Sequence, residues 1–175
     1  TSVYVANDIE NTVSVLDTTT MTVIRSVRVG DDPAGVAVNP GGTLVYVANS
    51  GSNTVSIIAT ATQNVIATVP VGSFPQGVAV NPAGTRVYVT NSDSDTVSVI
   101  NSATQTVIAT VAVEAFPFAF GQFIAPAQPP PSLTLSLTGC TSCRVGDRFA
   151  AEARMVNPGT APASTEVKIG VRLSS

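Results

Sequence analysis

Cys140 and Cys143 form the one pair in the sequence whose spacing suits redox or metal chemistry. A Cys-x-x-Cys pair acts in thiol–disulfide exchange when it follows a strand and opens a helix, because the helix amides stabilise the thiolate. The flanking segments here are predicted strands, and the sequence has no His and no third Cys to complete a four-ligand zinc site. We therefore expect a structural disulfide that closes a short loop, in a protein of an oxidising, extracellular compartment.

The residue types of the chain give little support for acid–base catalysis. The absence of His excludes a Ser-His-Asp triad and a His general base within this chain. Neither of the Gly-rich phosphate-binding patterns, GxGxxG and GxxxxGK followed by Ser or Thr, occurs. The residues therefore predict no catalysis of their own and no bound cofactor.

Calcium is the alternative to the prediction of no cofactor. The run Asn-Ser-Asp-Ser-Asp at residues 91–95 sets oxygen ligands at alternating positions. Calcium prefers carboxylate and carbonyl oxygens, so Asp93 and Asp95 are candidate ligands. The run has neither the Gly nor the terminal Glu of an EF-hand loop, so it is a poor match to that motif.

The net charge limits the classes of binding partner that we expect. The net charge is −3 and charged residues make up 11 % of the chain, which disfavours nucleic acid because phosphate contacts need clustered Lys and Arg. No apolar run reaches about 18 residues, so no membrane span is predicted. A low charge content suits an extracellular β protein. The expected interactions are with protein partners or other copies of the chain.

A 42-residue repeat organises the residues that could carry these functions. The run Gly77 to Val113 closely matches Gly35 to Val71, and an incomplete copy begins at Val3. Four strands per unit of about 40–45 residues predict an all-β fold of four-stranded antiparallel propeller blades, with three blades' worth of strands. The alternatives are a β-sandwich, which gives no reason for so regular a period, and an untwisted β-solenoid. In the third copy the predicted strands are residues 77–80, 87–90, 97–100 and 106–113.

One pentapeptide recurs in phase with this repeat. It is Val-Tyr-Val-Ala-Asn at 3–7 and 45–49, and Val-Tyr-Val-Thr-Asn at 87–91. These strings resemble the YVTN repeat of surface-layer-type β-propellers. The resemblance covers residues 1–124 and implies a secreted or cell-surface propeller, with no particular chemistry.

The two ends of the array predict how a ring could close. Residues 118–123 take the place of a first strand but lose the Asn-Pro turn, and the chain begins at the second strand of a unit. A propeller closes when one terminus supplies the strand missing at the other, so residues 118–123 are predicted to pair with the strand at Val3. Three blades are fewer than the usual four to eight. We expect further repeats before Thr1 or, alternatively, a ring completed by several chains.

A Pro-rich stretch at residues 125–132 predicts a stiff linker after the propeller domain at 1–124. Residues 133–175 are expected to form a partial β-sandwich, with fewer strands than the seven of a complete one. This domain resembles the start of an immunoglobulin-like module of bacterial surface proteins. Its predicted strands are residues 133–137, 147–156 and 166–173.

The acids of residues 1–126 are concentrated on one predicted face. Seven of the eight fall in loops between the second and third strands or between successive blades. Such a face can recruit a cation or a basic partner, or the acids can simply keep the loops soluble. Phe74 and Phe116 occupy equivalent inter-blade loops; packing on the next blade is favoured for them, with exposed aromatic anchors as the alternative. The seven acids are Asp8, Glu10, Asp31, Asp32, Asp93, Asp95 and Glu114.

These observations favour a non-catalytic extracellular or cell-surface scaffold or adhesion protein that displays loops on a rigid propeller. Two alternatives stay open. One is a propeller that binds a ligand or cation through its acidic loop face. The other is part of a lactonase-like enzyme whose catalytic residues lie outside this chain.

Overall fold

The computed structural model describes residues 1–119, 121 and 123–125 with their side chains, and the backbone of three strands within 132–171. The chain divides into two compact units, Thr1–Pro126 and Ala127–Ser175. Regular structure in the described residues is β-strand, as the short alternating runs of Val, Ile and Thr predict. None of these residues belongs to a helix long and apolar enough to cross a membrane.

The first unit consists of three antiparallel sheets, which we call blades 1, 2 and 3. Their strand orders are β1-β2-β3, β4-β5-β6-β7 and β8-β9-β10-β11. The three Tyr-bearing strands β1, β5 and β9 lie in separate sheets, so the predicted all-β fold of propeller blades is confirmed. The strands are β1 (Ser2–Asn7), β2 (Thr12–Asp17), β3 (Thr22–Arg28), β4 (Pro33–Val38), β5 (Leu44–Asn49), β6 (Thr54–Ala59), β7 (Asn64–Pro70), β8 (Pro75–Val80), β9 (Arg86–Asn91), β10 (Thr96–Asn101) and β11 (Thr106–Ala112).

Side-chain hydrogen bonds fix the turns within a blade. Oδ1 of Asn81 accepts hydrogen bonds from the backbone N–H groups of Thr85 at 2.8 Å and Arg86 at 2.9 Å. Gly84 takes a left-handed φ of 70°, which a residue without a Cβ adopts at little cost. Asn39 makes the equivalent pair of bonds in blade 2. The Asn-Pro-x-Gly sequence thus determines where the first strand ends and the second begins.

The hydrophobic core lies between the blades. Because side chains alternate across a strand, blade 2 sends residues to both neighbours: Val45 and Val47 pack against blade 1, and Tyr46 packs against blade 3. The core between blades 1 and 2 contains Val13, Val15, Val27, Val45, Val47 and Ile58. The core between blades 2 and 3 contains Tyr46, Val55, Ile57, Val69, Val78, Val80, Val87, Val89 and Ile100.

Neighbouring blades approach most closely at their inner strands. β1 lies against β4 and β4 against β8, whereas the outer strands β3, β7 and β11 touch one another much less. Gly35 makes this approach possible, because a Cβ at that position would collide with the carbonyl oxygen of Gln76 in β8. Sheets that converge at one side and diverge at the other have the radial arrangement of propeller blades.

The prediction that residues 118–123 close the sheet of blade 1 is wrong. The residues described between 117 and 125 are not in a strand, and β1 pairs with β2 alone among the described strands. Ala119 instead lies beside Gly77 of β8, in the same relation that β8 has to β4. The physical reason is chain continuity, since Ala119 follows blade 3 directly and lies beside the inner strand β8 of that blade.

The second unit contains one antiparallel sheet in the order β12-β13-β14. Its strands are β12 (Ser132–Thr138), β13 (Phe149–Val156) and β14 (Val167–Val171), which overlap the three predicted segments. Cys140 and Cys143 lie outside the described residues, so their disulfide stays a prediction.

Candidate functional site

Two sets of loops meet at one edge of the blades, which we call the loop face. The backbone N–H groups of Ser50 and Gly51, between β5 and β6, donate to the carbonyl oxygens of Asp32 and Asp31 at 2.9 and 3.1 Å. Asp31 and Asp32 belong to the loop that enters blade 2 from blade 1, and blade 3 repeats both bonds. The seven acids singled out in the sequence lie in loops of these two kinds, and all are exposed.

A second set of bonds at the loop face joins a loop of each blade to the inter-blade loop that follows that blade. In each case Oδ1 of an Asn or Asp accepts a hydrogen bond from a backbone N–H in the following inter-blade loop. Asp95 therefore occupies the same structural position as two Asn residues, and its carboxylate has a role that needs no metal. The pairs are Asn11 with Asp32 (2.9 Å), Asn53 with Phe74 (2.8 Å) and Asp95 with Phe116 (2.8 Å).

The three residues that donate these bonds have a left-handed backbone. Their φ angles are 50° at Asp32, 54° at Phe74 and 56° at Phe116. This region is uncommon for bulky residues and persists only where the surroundings hold it. Phe74 is 38 % and Phe116 61 % exposed, so part of each residue is open to solvent on the loop face, and their use as packing residues or as aromatic anchors stays a prediction.

A pocket of about 470 Å³ opens on the loop face where blades 1, 2 and 3 meet. We call it the loop-face pocket. Its volume lies in the range of small-ligand sites, and its wall combines two carboxylates, a hydroxyl, an amide and a phenyl ring. The lining residues are Ala6, Asp8, Asp32, Pro33, Ala34, Ser50, Phe74 and Gln76.

Local contacts position the polar groups of this pocket. Oδ1 of Asp8 accepts a hydrogen bond from the backbone N–H of Ile9 at 2.7 Å. The carboxylate of Asp32 packs over Gly51, where an added Cβ would lie 2.5 Å from Oδ2 of Asp32. Oγ of Ser50 donates to the carbonyl oxygen of Asp32 at 2.8 Å. The Asp8 carboxylate is thus bonded to the backbone of its own loop in blade 1, whereas the Asp32 carboxylate lies against Gly51 in blade 2.

The repeat shows which lining residues are particular to this pocket. The two carboxylates are absent from the equivalent positions of the later copies, where hydroxyl and phenyl groups stand instead. Neither acid is therefore required by the blade fold. The equivalents are Ser50 and Ser92 for Asp8, and Phe74 and Phe116 for Asp32.

Comparison with known proteins identifies the family of the chain. The family model described as "Lactonase, 7-bladed beta-propeller" matches residues 1–117. The chain belongs to this lactonase family. No curated protein matches the chain.

Solved structures share the fold of this lactonase-family chain at low sequence identity. Hydrazine synthase of Kuenenia stuttgartiensis aligns with a TM-score of 0.65 and 21 % identity, over 88 % of this chain and 42 % of that one. Dihydro-heme d1 dehydrogenase NirN, in complex with DHE, aligns at 0.57 and 16 %, over 96 % and 34 %. Apo AztD of Citrobacter koseri aligns at 0.54 and 19 %, over 62 % and 31 %. The chain thus spans less than half the length of each of these proteins, and the likeness shows the fold alone.

A second pocket lines the inner wall of the lactonase-family blades. It measures about 210 Å³ and lies along the inner strands β4 and β8. Among the described residues that line this pocket, the one polar side chain is the amide of Gln76, which does not transfer protons. The lining residues are Ala34, Gly35, Val36, Gln76, Gly77, Val78, Ala119 and Gly121.

Metal binding has no preformed group of ligands in the part of the chain that the structure describes. No three His, Cys, Asp or Glu side chains come close enough there to hold an ion. Asp93, Glu10, Asp31 and Glu114 are exposed loop residues that do not line the loop-face pocket. The assignment of Asp93 and Asp95 as calcium ligands stays a prediction.

Sequence reasoning placed Asp8, Asp32 and Phe74 on one face but did not bring them into one pocket. They come from three different blades, and their approach depends on the packing between blades. The available signal was the departure of Asp8 and Asp32 from the residues that the other copies carry at those positions.

Proposed function

We propose that this lactonase-family chain is a binding segment of a propeller and that the loop-face pocket takes a small organic cation. The observation that carries the proposal is the pocket wall, where the carboxylates of Asp8 and Asp32 line the same space as the ring of Phe74. Carboxylates attract a cation, and an aromatic face adds about 0.5–1 kcal/mol at an exposed site.

An organic cation suits the pocket better than a metal ion does. Calcium takes about six to eight oxygen ligands, whereas the described residues bring no three acidic side chains together. An ammonium group with apolar substituents needs only a counter-charge and an apolar contact. Asp8, Asp32 and Phe74 supply both.

We propose further that this segment binds and does not itself catalyse. The sequence contains no His, and the inner-wall pocket is lined by no acid or base. The family match supports a second candidate function, in which the segment is part of a lactonase-like enzyme whose catalytic residues lie outside this chain. The loop-face pocket would then position the substrate.

A secreted or cell-surface location is part of the same proposal. The low charge content, the YVTN-like strings and the Cys140–Cys143 pair support this location. The YVTN-like strings also support the proposal that the chain is related to surface-layer-type propellers. The three-stranded sheet β12-β13-β14 supports an immunoglobulin-like module. If the loop-face pocket binds no ligand, we propose instead a scaffold or adhesion role, with protein partners on the loop face.

Saturation-transfer NMR with choline and with 3,3-dimethylbutan-1-ol, its neutral isostere, tests the cation site. Choline should bind the chain about fivefold more tightly than the alcohol, because an ion pair at a partly exposed site contributes up to about 1 kcal/mol. Equal binding of the two probes, or binding of neither, would contradict the proposal.

Exchanging residues between repeats locates the binding. Asp8→Ser and Asp32→Phe install the residues that the other blades carry, so the fold should be retained. Each should weaken choline binding about threefold to fivefold, and the double variant should lose the preference over the alcohol. Asp93→Asn removes an equal charge outside the pocket and is the matched control. A similar loss in this control would mean that the general acidity of the loop face attracts choline.

A further inference from the structure

The loop-face pocket and the inner-wall pocket share part of their walls. Ala34 of β4 and Gln76 of β8 line both, so the two pockets meet where the inner strands of blades 2 and 3 begin. These blades are consecutive in the chain, so the further blades of a seven-bladed family member would leave this junction in place. A ligand in the loop-face pocket can therefore extend along the inner strands.

The two pockets differ in chemical character. The carboxylates of Asp8 and Asp32 line the loop-face pocket. The inner-wall pocket has no charged side chain among the described residues that line it, and its accessible surface is mostly apolar, with Val36 and Val78 in the wall. A ligand that spans the junction is therefore charged at one end and apolar at the other.

The side chain of Gln76 lies at the junction of the two pockets. Gln76 is half-buried, and its amide forms no hydrogen bond with another described residue. Because an amide both donates and accepts, it can bond to a polar group in the middle of a ligand. The repeat does not require an amide at this position, since the counterparts are Ala34 in blade 2 and Phe118 after blade 3.

We propose that the two pockets together bind an organic cation that carries a short acyl chain. The ammonium group lies beside Asp8 and Asp32, the acyl carbonyl oxygen accepts a hydrogen bond from the amide of Gln76, and the acyl carbons occupy the inner-wall pocket. This inference rests on the proposed cation site and adds the class of ligand, an acylated amino alcohol. Binding alone is proposed, with no covalent step.

NMR titration of the isotope-labelled full chain with matched ligands tests the acyl site. Butyrylcholine should bind about tenfold more tightly than choline. Full burial of one CH₂ group strengthens binding about fourfold, and the inner-wall pocket is partly open, so the acyl carbons gain less than that each. Heptyltrimethylammonium, which has the same chain length without the carbonyl, serves as the comparison for the hydrogen bond.

A neutral ester distinguishes this inference from the proposed function. 3,3-Dimethylbutyl butanoate, the uncharged isostere of butyrylcholine, should bind about fivefold more weakly than butyrylcholine. If choline binds but butyrylcholine gains nothing over it, the acyl site is refuted and the cation site stands. If the neutral ester binds as tightly as butyrylcholine, the proposed function and the ligand class inferred from it are both refuted.

Gln76→Met tests the hydrogen bond at the junction. It keeps an unbranched side chain of similar length and removes the amide. The affinity for butyrylcholine should fall about fivefold relative to the affinity for heptyltrimethylammonium. A general disturbance of the two pockets would weaken both ligands alike, so an unchanged ratio of the two affinities would contradict the placement of the carbonyl at Gln76.

Val36→Thr tests the position of the acyl carbons, because Val36 lines the inner-wall pocket and not the loop-face pocket. A hydroxyl in this wall should reduce the gain of butyrylcholine over choline about threefold. Val38→Thr is the matched control, since Val38 lies on the same face of β4, is 45 % exposed and lines neither pocket. It should keep the full gain, and an equal loss in both variants would contradict the proposal.

Nuclear Overhauser effects on the wild-type chain locate the acyl chain without any substitution. The terminal methyl protons of bound butyrylcholine should show cross-peaks to the methyl groups of Val36 and Val78, and the ammonium methyl protons should show cross-peaks to the ring of Phe74. If the acyl methyl of bound butyrylcholine gave cross-peaks to Phe74 and none to the two valines, the acyl chain would lie outside the inner-wall pocket and the proposal would be overturned.

Discussion

Oδ1 of Asn53 lies 2.8 Å from the backbone nitrogen of Phe74 and accepts its hydrogen bond. The two residues belong to neighbouring blades, since Asn53 precedes β6 and Phe74 precedes β8. Both have a left-handed backbone, with φ of 56° and 54°. Because Phe74 lines the loop-face pocket, an amide of blade 2 helps to position one wall of a pocket that three blades share.

Substitutions of Asn53 measure separately how this hydrogen bond and the left-handed backbone contribute to the free energy of unfolding. Asn53→Gly keeps a residue that tolerates a left-handed φ and removes the bond, so it should lower the free energy of unfolding by about 1 kcal/mol. Asn53→Ala adds left-handed strain of about another 1 kcal/mol. Urea titration followed by circular dichroism measures both changes. Asn53→Asp, which copies Asp95 of blade 3, should be neutral, and equal losses in all three variants would show that the bond does not contribute.

The hydroxyl of Tyr46 is expected to reduce stability. Tyr46 is fully buried between blades 2 and 3, and its hydroxyl has no hydrogen-bond partner. Burial raises the pKa of Tyr46 from its usual 10.0, because desolvation disfavours the phenolate. An unpaired buried polar group costs about 1–3 kcal/mol, so Tyr46→Phe should raise the urea midpoint. Tyr4→Phe, at a half-buried position, should leave it unchanged, and a lower midpoint for Tyr46→Phe would mean that the hydroxyl is paired in solution.

Local chemistry made the strands of each blade predictable, whereas contacts between blades were not. The turn at Asn81 and Gly84 is determined by residues a few positions apart, so its signal is visible in the sequence. The destination of residues 118–123 depends on how successive blades rotate about the axis, and no local signal encodes it. The same limit applies to the loop-face pocket, since Asp8 and Phe74 come together only through the packing of three blades.

Asp17 is expected to make stability depend on acidic pH. Its Oδ1 accepts backbone hydrogen bonds from Thr19 at 2.6 Å and Thr20 at 3.1 Å, and these bonds hold the pKa of Asp17 below its usual 3.8. The unfolded chain therefore binds this proton more readily than the folded one. The stabilisation is complete above the unfolded pKa and is lost as the pH falls through the folded pKa.

Exchanging Asp17 for the residue of blade 3 tests this pH dependence. Asn101 accepts the same two bonds with a neutral amide, so Asp17→Asn should keep the turn and remove the titration. Melting temperatures between about pH 5 and pH 2 should then fall less steeply than in the wild-type chain. Asp17→Ala removes both bonds and should lower the melting temperature at neutral pH. An unchanged acid slope in Asp17→Asn would assign the dependence to other carboxylates.

Gly72 allows the loop between β7 and β8 to pack closely on blade 3. A Cβ at Gly72 would lie 2.7 Å from side-chain atoms of Asn91. Asn91 is fully buried, and its Nδ2 donates to the hydroxyls of Thr96 at 3.0 Å and Ser98 at 2.9 Å. The side chain therefore cannot move aside without losing buried hydrogen bonds.

Gly72→Ala should accordingly lower the free energy of unfolding by about 1–3 kcal/mol, the usual cost of overpacking. Gly41→Ala is the matched control, because its added Cβ has no neighbour closer than 3.9 Å and blade 3 carries Ala83 at the equivalent position. The control should be neutral or slightly stabilising. Urea titration distinguishes the two variants. If Gly72→Ala proved as stable as the wild-type chain, the close approach of Gly72 to Asn91 would not constrain the packing of blades 2 and 3.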